Sequence, residues 1–267
     1  RNFSAPVKLS FPYSREDLAF LFAHDSDSFN RWEAGQRLAT DVILEIVAAF
    51  AENRKPGVPE TFMRAFRTAL TDGQADPALL ALALTLPAEP ELAEAMVVAD
   101  PVAIHAARQM VRKAVAEELA KDFERVMAAM QDQGLYSPDS DAIGRRSLKN
   151  LCLAYLSLLD NVEIHQACFD QYVDSDNMTD RMAALTCLVH NGLPQYQEAL
   201  AAFYHRFQDD PLVVDKWFSL QATAPRPGTL DQVRELMEHP AFTMRNPNRV
   251  RSLVGAFAHG NPACFHD

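Results

Sequence analysis

The stretch "DPVAIHAARQMVRKAVAEELAKDFERVMAAMQDQ", Asp100 to Gln133, decides the fold. Val102, Ala106, Met110, Val111, Val115, Leu119, Phe123, Val126 and Met130 recur in it at helical intervals. That spacing predicts one long amphipathic helix with an apolar stripe turned to a core. Asp100 before Pro101 marks the start. The carboxylate accepts an orphan backbone N–H, and proline gives up an N–H that had no partner there anyway.

The same start recurs at Asp76-Pro77, Ser137-Pro138, Asp210-Pro211 and Asn246-Pro247, and "SRED" from Ser14 reads as a capping box. Breaks fall at "RKPGVP", "LPAEPE", "DQGLYSPDSD", "NGLP" and "APRPG". Between them lie about a dozen helices, several joined by the short connections of helical hairpins. The predicted fold is all-α: an irregular α-solenoid of stacked hairpins over residues 14–267, with a more globular helical packing as the competing architecture. None of the fixed-period repeat signatures is present. Residues 3–13 differ, since Val7, Leu9, Phe11 and Tyr13 alternate with polar positions and predict one strand.

Composition narrows the functions. The 267 residues are enough for one large domain or two ordinary ones. Only nine glycines occur, which disfavours turn-rich β architectures. A net charge of −11 repels phosphate backbones and anionic lipid, so neither nucleic acid nor a membrane is an expected partner. No segment reaches the ~18 apolar residues of a membrane span. Cys152, Cys168, Cys187 and Cys264 form no C-x-x-C pair, and three sit in apolar helical runs. They are expected to be reduced thiols of a cytoplasmic protein. No two of the eight histidines are spaced H-x-x-x-H, and no Walker loop, G-x-G-x-x-G or G-x-S-x-G occurs. No metal is expected to bind within the chain, and no catalytic residue is assigned.

Three segments carry polar residues worth placing. In "DNMTDRMAAL" (176–185), Asn177 or Thr179 reads as a helix cap. In "LVVDKWFSLQA" (212–222), Trp217 and Phe218 read as core. In "FNRWEAGQRLA" (29–39), Trp32 reads as a packing residue, with Arg31 and Glu33 solvated. The segment "TMRNPNRVRSLVGAF" (243–257) is different, because Arg249 and Arg251 follow the Asn246-Pro247 start directly. Cations near a helix N-terminus oppose its dipole, at about 0.3–1 kcal/mol each when exposed. Residues two apart face different directions. One arginine can therefore be solvated while the other is directed elsewhere, unless both simply pair with some of the 36 acids.

"RNFSAPVKL", "NMTDRMAAL", "DKWFSLQA", "FTMRNPNRVRSLVGAF" and "NPACFH", in that order and spacing, resemble the C-terminal region of bacterial aminopeptidase N, of the zinc aminopeptidase family. The resemblance covers the whole chain. It implies that residues 1–13 are the last strand of a β-sandwich domain and 14–267 a C-terminal helical domain, incomplete at its end. The chain then reads as a piece of a longer polypeptide. The HExxH and GxMEN motifs of the catalytic domain do not occur in it. The resemblance implies zinc in the parent enzyme, none bound by this chain, and no activity of the piece alone. It implies a helical lid and substrate-access domain, with short peptides and the parent's catalytic and β-sandwich domains as partners. It places Arg251 in the substrate pocket, with Arg249 and Asn248 beside it. The alternative is a stand-alone helical scaffold for protein–protein interaction.

Overall fold

The computed structural model describes residues 11–132, 134 and 136–266. Of the expected strand, residues 3–10 lie outside the described residues, and Phe11, Pro12 and Tyr13 take no regular structure. Everything regular among the described residues is helical.

The helices are α1 (Arg15–His24), α2 (Ser28–Ala51), α3 (Glu60–Leu70), α4 (Pro77–Ala83), α5 (Glu89–Glu94), α6 (Pro101–Ala129), α7 (Ser140–Leu156) and α8 (Val162–Asp174). They continue as α9 (Met178–His190), α10 (Tyr196–Phe207), α11 (Pro211–Ala222), α12 (Thr229–Met237), α13 (Pro247–Val250), a π-helical turn (Arg251–Gly255), α14 (Ala256–Gly260) and α15 (Pro262–Phe265). Most pack on their chain neighbours: α1 on α2, α6 on α7, α8 on α9, α10 on α11. That is the stacked-hairpin order read from the sequence. Other contacts depart from a simple stack: α2 packs on α6, α4 on α7, and α15 returns to touch α6.

Helix starts follow the local chemistry. The Ser14 hydroxyl and the Asp17 carboxylate satisfy each other's backbone N–H groups. Asp76, Asp100, Asp210 and Asn246 cap α4, α6, α11 and α13, each with proline next. Ser137-Pro138 does not start a helix; Asp139 accepts from Ala142 N at 2.8 Å and caps α7 two residues later. Two caps were available in that loop, and the carboxylate took the role while the Ser137 hydroxyl donates to it. Asn177, not Thr179, caps α9.

The long helix forms as predicted but ends at Ala129 and kinks at Leu119 (φ −111°, ψ 16°). Its buried face is Ile104, Ala107, Val111, Val115, Ala116, Leu119 and Phe123. Val102 and Ala106 of the predicted stripe are exposed, so the first turns are rotated relative to that reading.

Two apolar cores result. The first gathers α1 to α7 around Phe22, Phe62, Phe66 and Phe123, with Tyr155 stacked on Phe123 at 4.8 Å. The Tyr155 hydroxyl donates to Leu84 O at 2.9 Å, and burial pushes its pKa up to about 12. The second gathers α8 to the π turn around Leu185, Leu188, Phe203, Trp217 and Phe218. Helix α7 serves both, giving Cys152, Tyr155 and Leu156 to the first and Leu153 to the second. Where α1 meets α2, Gly35 leaves room for Phe22, since a Cβ there would stand 2.8 Å from the ring.

The reading of "FNRWEAGQRLA" is reversed at two positions. Arg31 is not solvated: it pairs with Asp72 at 2.8 Å and donates to Phe22 O at 3.2 Å. Trp32 is 37 % exposed and rests against Phe29 at the surface. The α2 face turned to the core is set by Ala34, Leu38, Val42 and Ile46, which leaves Trp32 outside it.

Candidate functional site

The three residues singled out by sequence sit where α13 runs into the π turn. The Asn246 side chain accepts from Asn248 N at 3.0 Å and Arg249 N at 3.4 Å. Pro247 then starts the helix. Two residues of α-helix turn a side chain through about 200°. Arg249 consequently faces in and Arg251 faces out.

Arg249 is 6 % exposed. Its Nη1 stands 3.1 Å from Asp215 Oδ1, and its guanidinium lies over the Phe218 ring at 5.2 Å. Nε and Nη1 make no hydrogen bond of good geometry, so the pairing with Asp215 is Coulombic with the N–H groups misaimed. Partial burial strengthens such an attraction relative to water. Ser252 Oγ is within 3.2 Å of Asp215 Oδ1 and 2.9 Å of Arg249 O, and Ser219 Oγ donates to Ser252 O at 2.9 Å. His239 closes the arrangement edge-on to Phe218 at 5.9 Å, and burial followed by the Arg249 charge lowers its pKa. Arg249 thus fastens the helix start to α11.

Arg251 is exposed, and its side chain makes no ion pair or hydrogen bond among the described residues. It opens the π turn, in which Ser252 and Leu253 are buried. Single π turns inside helices occur disproportionately at functional sites.

Asn248 lines a groove of about 790 Å³ with Met182, Thr186, His190, Leu212, Asp215 and Lys216. The groove joins α9, α11 and α13, and its apolar floor carries one acid and one base at the rim. The structure thus brings Asn248 and the partner of Arg249 to one groove, while Arg251 projects outside that lining. Sequence reasoning saw Asp215 only as a neighbour of Trp217; its role depends on tertiary contact, and no local signal announces it.

His190 borders this groove at the end of α9. Its Nε2 is 3.2 Å from Leu220 O, and burial takes its pKa down to about 4. The folded protein therefore holds a neutral ring that the unfolded chain protonates near pH 6.5. The unfolded state binds the extra proton between these values, so stability is full above pH ~6.5 and falls as pH drops toward 4. The ceiling is about 3 kcal/mol, reduced because the ring edges a groove open to water. His190→Gln should flatten the loss of thermal stability between pH 7 and pH 4.5 relative to the wild type. Parallel pH profiles for the two proteins would show that other groups govern acid unfolding.

Among the described residues, no group of three or more His, Cys, Asp or Glu side chains could hold a metal ion. No helix among them is long and apolar enough to cross a membrane. Cys152, Cys168 and Cys187 are buried free thiols.

The class follows from a helical stack of this kind: residues 15–267 match the family model described as a domain of unknown function (DUF3458_C) with ARM repeats, and the chain belongs to that family. Its relatives are aminopeptidases. The chain is 42 % identical over 272 aligned residues to aminopeptidase N of Caulobacter vibrioides and 39 % identical over 265 to that of Escherichia coli. These matches cover 100 % and 99 % of the chain but 31 % and 30 % of the relatives, so the chain spans under a third of their length. A crystal structure of Legionella pneumophila aminopeptidase A in complex with aspartic acid superposes with a TM-score of 0.87 at 32 % identity, covering 100 % of this chain and 32 % of that one. The resemblance to bacterial aminopeptidase N read from the five quoted stretches holds along the whole chain, and so does the all-α solenoid class.

Proposed function

We propose that this chain is the C-terminal helical domain of a zinc aminopeptidase of the aminopeptidase N type, acting as its lid and substrate-access wall. The parent would remove N-terminal residues from short peptides in the cytoplasm, with the catalytic and β-sandwich domains as this chain's partners. The observation that carries the reading is 38–42 % identity to three bacterial aminopeptidases N over essentially the whole chain. Among the described residues, no group of His, Cys, Asp or Glu side chains large enough to hold zinc comes together. The metal would be held elsewhere in the parent, where it would supply Lewis-acid activation of water for attack on the first peptide bond. A wall of stacked helices would enclose the cleft, admitting short unfolded peptides and excluding folded proteins.

Within that role, Arg251 and Asn248 would face the substrate cavity. An exposed guanidinium offers planar, multi-donor geometry to a peptide carbonyl or carboxylate, which lysine lacks. Arg249 supports them from behind through Asp215. In the full-length enzyme, Arg251→Ala should raise KM with little change in kcat, since it removes a uniform binding contact. The expected loss in kcat/KM is about ten- to a hundredfold, equivalent to losing one charge-assisted hydrogen bond. Arg249→Ala should instead lower the melting temperature. Wild-type kinetics for Arg251→Ala, or a loss that tracks unfolding, would remove the arginine from the pocket.

A further inference from the structure

A second cleft, of about 340 Å³, lies between α6 and the end of the chain. It exists because α15 returns to α6. Arg108 and Arg112 form one wall; His190 and Asn191 at the end of α9, with His259 and Asn261, form the other. Thr186, His190 and Thr223 line both this cleft and the Asn248 groove, so they form the ridge between the two.

The charges are unusual for a chain of net charge −11. Arg108 and Arg112 are one helical turn apart on the same face, and like charges at that spacing repel. No acid stands three or four residues from either of them on α6, so the helix offers no local compensation. Glu89 is the one carboxylate on the lining, and it is already engaged by His105 Nδ1 at 2.7 Å. The guanidiniums are fixed by carbonyls rather than neutralised. Arg108 Nε donates to Pro87 O at 2.8 Å and its Nη2 to Leu86 O at 3.3 Å. Arg112 Nη1 donates to Gln109 Oε1 at 3.1 Å and its Nη2 to Ala154 O at 3.4 Å. Of five N–H donors on each, at least three remain for another acceptor. Neither guanidinium is among the buried groups that lack a partner, and both line the cleft. Burial and then the neighbouring Arg112 disfavour the charge on Arg108 by more than Tyr155, Glu89 and Glu91 favour it, and an anion between the two arginines would offset the balance.

We propose that this cleft is an oxyanion site, binding the carboxylate or phosphate of a small molecule across Arg108 and Arg112, with the second N–H of the Asn191 amide, whose first donates to Ser157 Oγ at 2.9 Å, as a neutral donor. Two cations set against one carboxylate that is already engaged by His105 favour anions in the cleft, and its volume suits a small molecule. The inference rests on these residues and not on the aminopeptidase reading.

The test is calorimetric titration of the full-length protein with sodium phosphate and with sodium succinate, at ionic strength held constant with sodium chloride. At least one anion should bind, and Arg108→Gln and Arg112→Gln should each weaken it at least tenfold, the loss of one charge-assisted contact. The stronger of the two anions identifies the ligand as phosphate- or carboxylate-bearing. Absence of binding by both anions, or binding unchanged in both variants, overturns the proposal. Should a variant not fold, phenylglyoxal modification of the wild type decides: anion should slow labelling of Arg108 and Arg112 selectively, and unprotected labelling overturns the site.

Discussion

Asp180→Ala is expected to destabilise the protein by about 3–5 kcal/mol, the cost of breaking a buried ion pair by removing one partner. Asp180 and Lys149 are 4 % and 5 % exposed, with Lys149 Nζ 2.7 Å from Asp180 Oδ2. The same carboxylate accepts from Asn150 Nδ2 at 2.8 Å and Asn177 Nδ2 at 3.2 Å. Asp180 opens α9 and Lys149 lies in α7, so the pair ties the second core to the helix shared with the first. Removing the carboxylate strands a nearly buried ammonium and leaves the Asn150 amide without its acceptor, while Asn177 keeps its bond to Asp176 Oδ1 at 3.0 Å. For a chain this size, each kcal/mol moves the melting temperature by roughly 2–4 °C. A fall of about 6–20 °C in a thermal scan is therefore expected. A second replacement separates causes: Lys149→Met in the Asp180→Ala background removes the stranded charge and should recover part of the loss. A melting temperature within a degree or two of wild type for Asp180→Ala would show that the ammonium finds another partner.

Phe123→Ala should cost a similar amount, about 3–5 kcal/mol, for a different reason. The ring is fully buried, stacks on Tyr155 at 4.8 Å and meets Phe66 edge-on at 6.3 Å. Truncation removes the transfer free energy of the ring and leaves a cavity bounded by three helices, α3, α6 and α7. The Leu119 kink lies one turn before Phe123, so the end of α6 has little freedom to collapse into the space. Chemical denaturation should show a lower midpoint with an unchanged slope. Phe123→Leu, which keeps more of the volume, should lose less than half as much. Equal losses for the two would mean the aromatic contacts, not the volume, hold the core.

The caps were legible because they are local. A carboxylate or amide, then proline, specifies a helix start with no help from the rest of the chain, and four of the five Pro-marked starts formed as read. The fifth failed where two acceptors competed within three residues. Periodicity placed α6 but not its kink, since no proline or glycine marks Leu119. It also put Val102 and Ala106 on the wrong face, because the core determines which way the first turns roll. Trp32 and Arg31 exchanged places for the same reason: polarity is a weak guide when a distant Asp72 can pair with the arginine. The opposed directions of Arg249 and Arg251 followed from helix geometry alone. The acid that receives Arg249, the π turn after it and the Arg108–Arg112 cleft all depend on helices far apart in sequence.

The sharing of α7 between two cores also orders the assembly of the chain in time. The first core needs nothing beyond Ile164, whereas the second begins at Leu153 and requires residues out to Phe257. Chains grow at about 5–20 residues per second and fold in units from the N-terminal side. The first core can therefore close on the ribosome while most of the second is still unmade. It would then present Leu153 as a preformed face for the later helices. The cleft between α6 and α15 forms only after both cores, because one wall belongs to the first and the other follows the second. Any ligand of that cleft would meet it only once both cores are made.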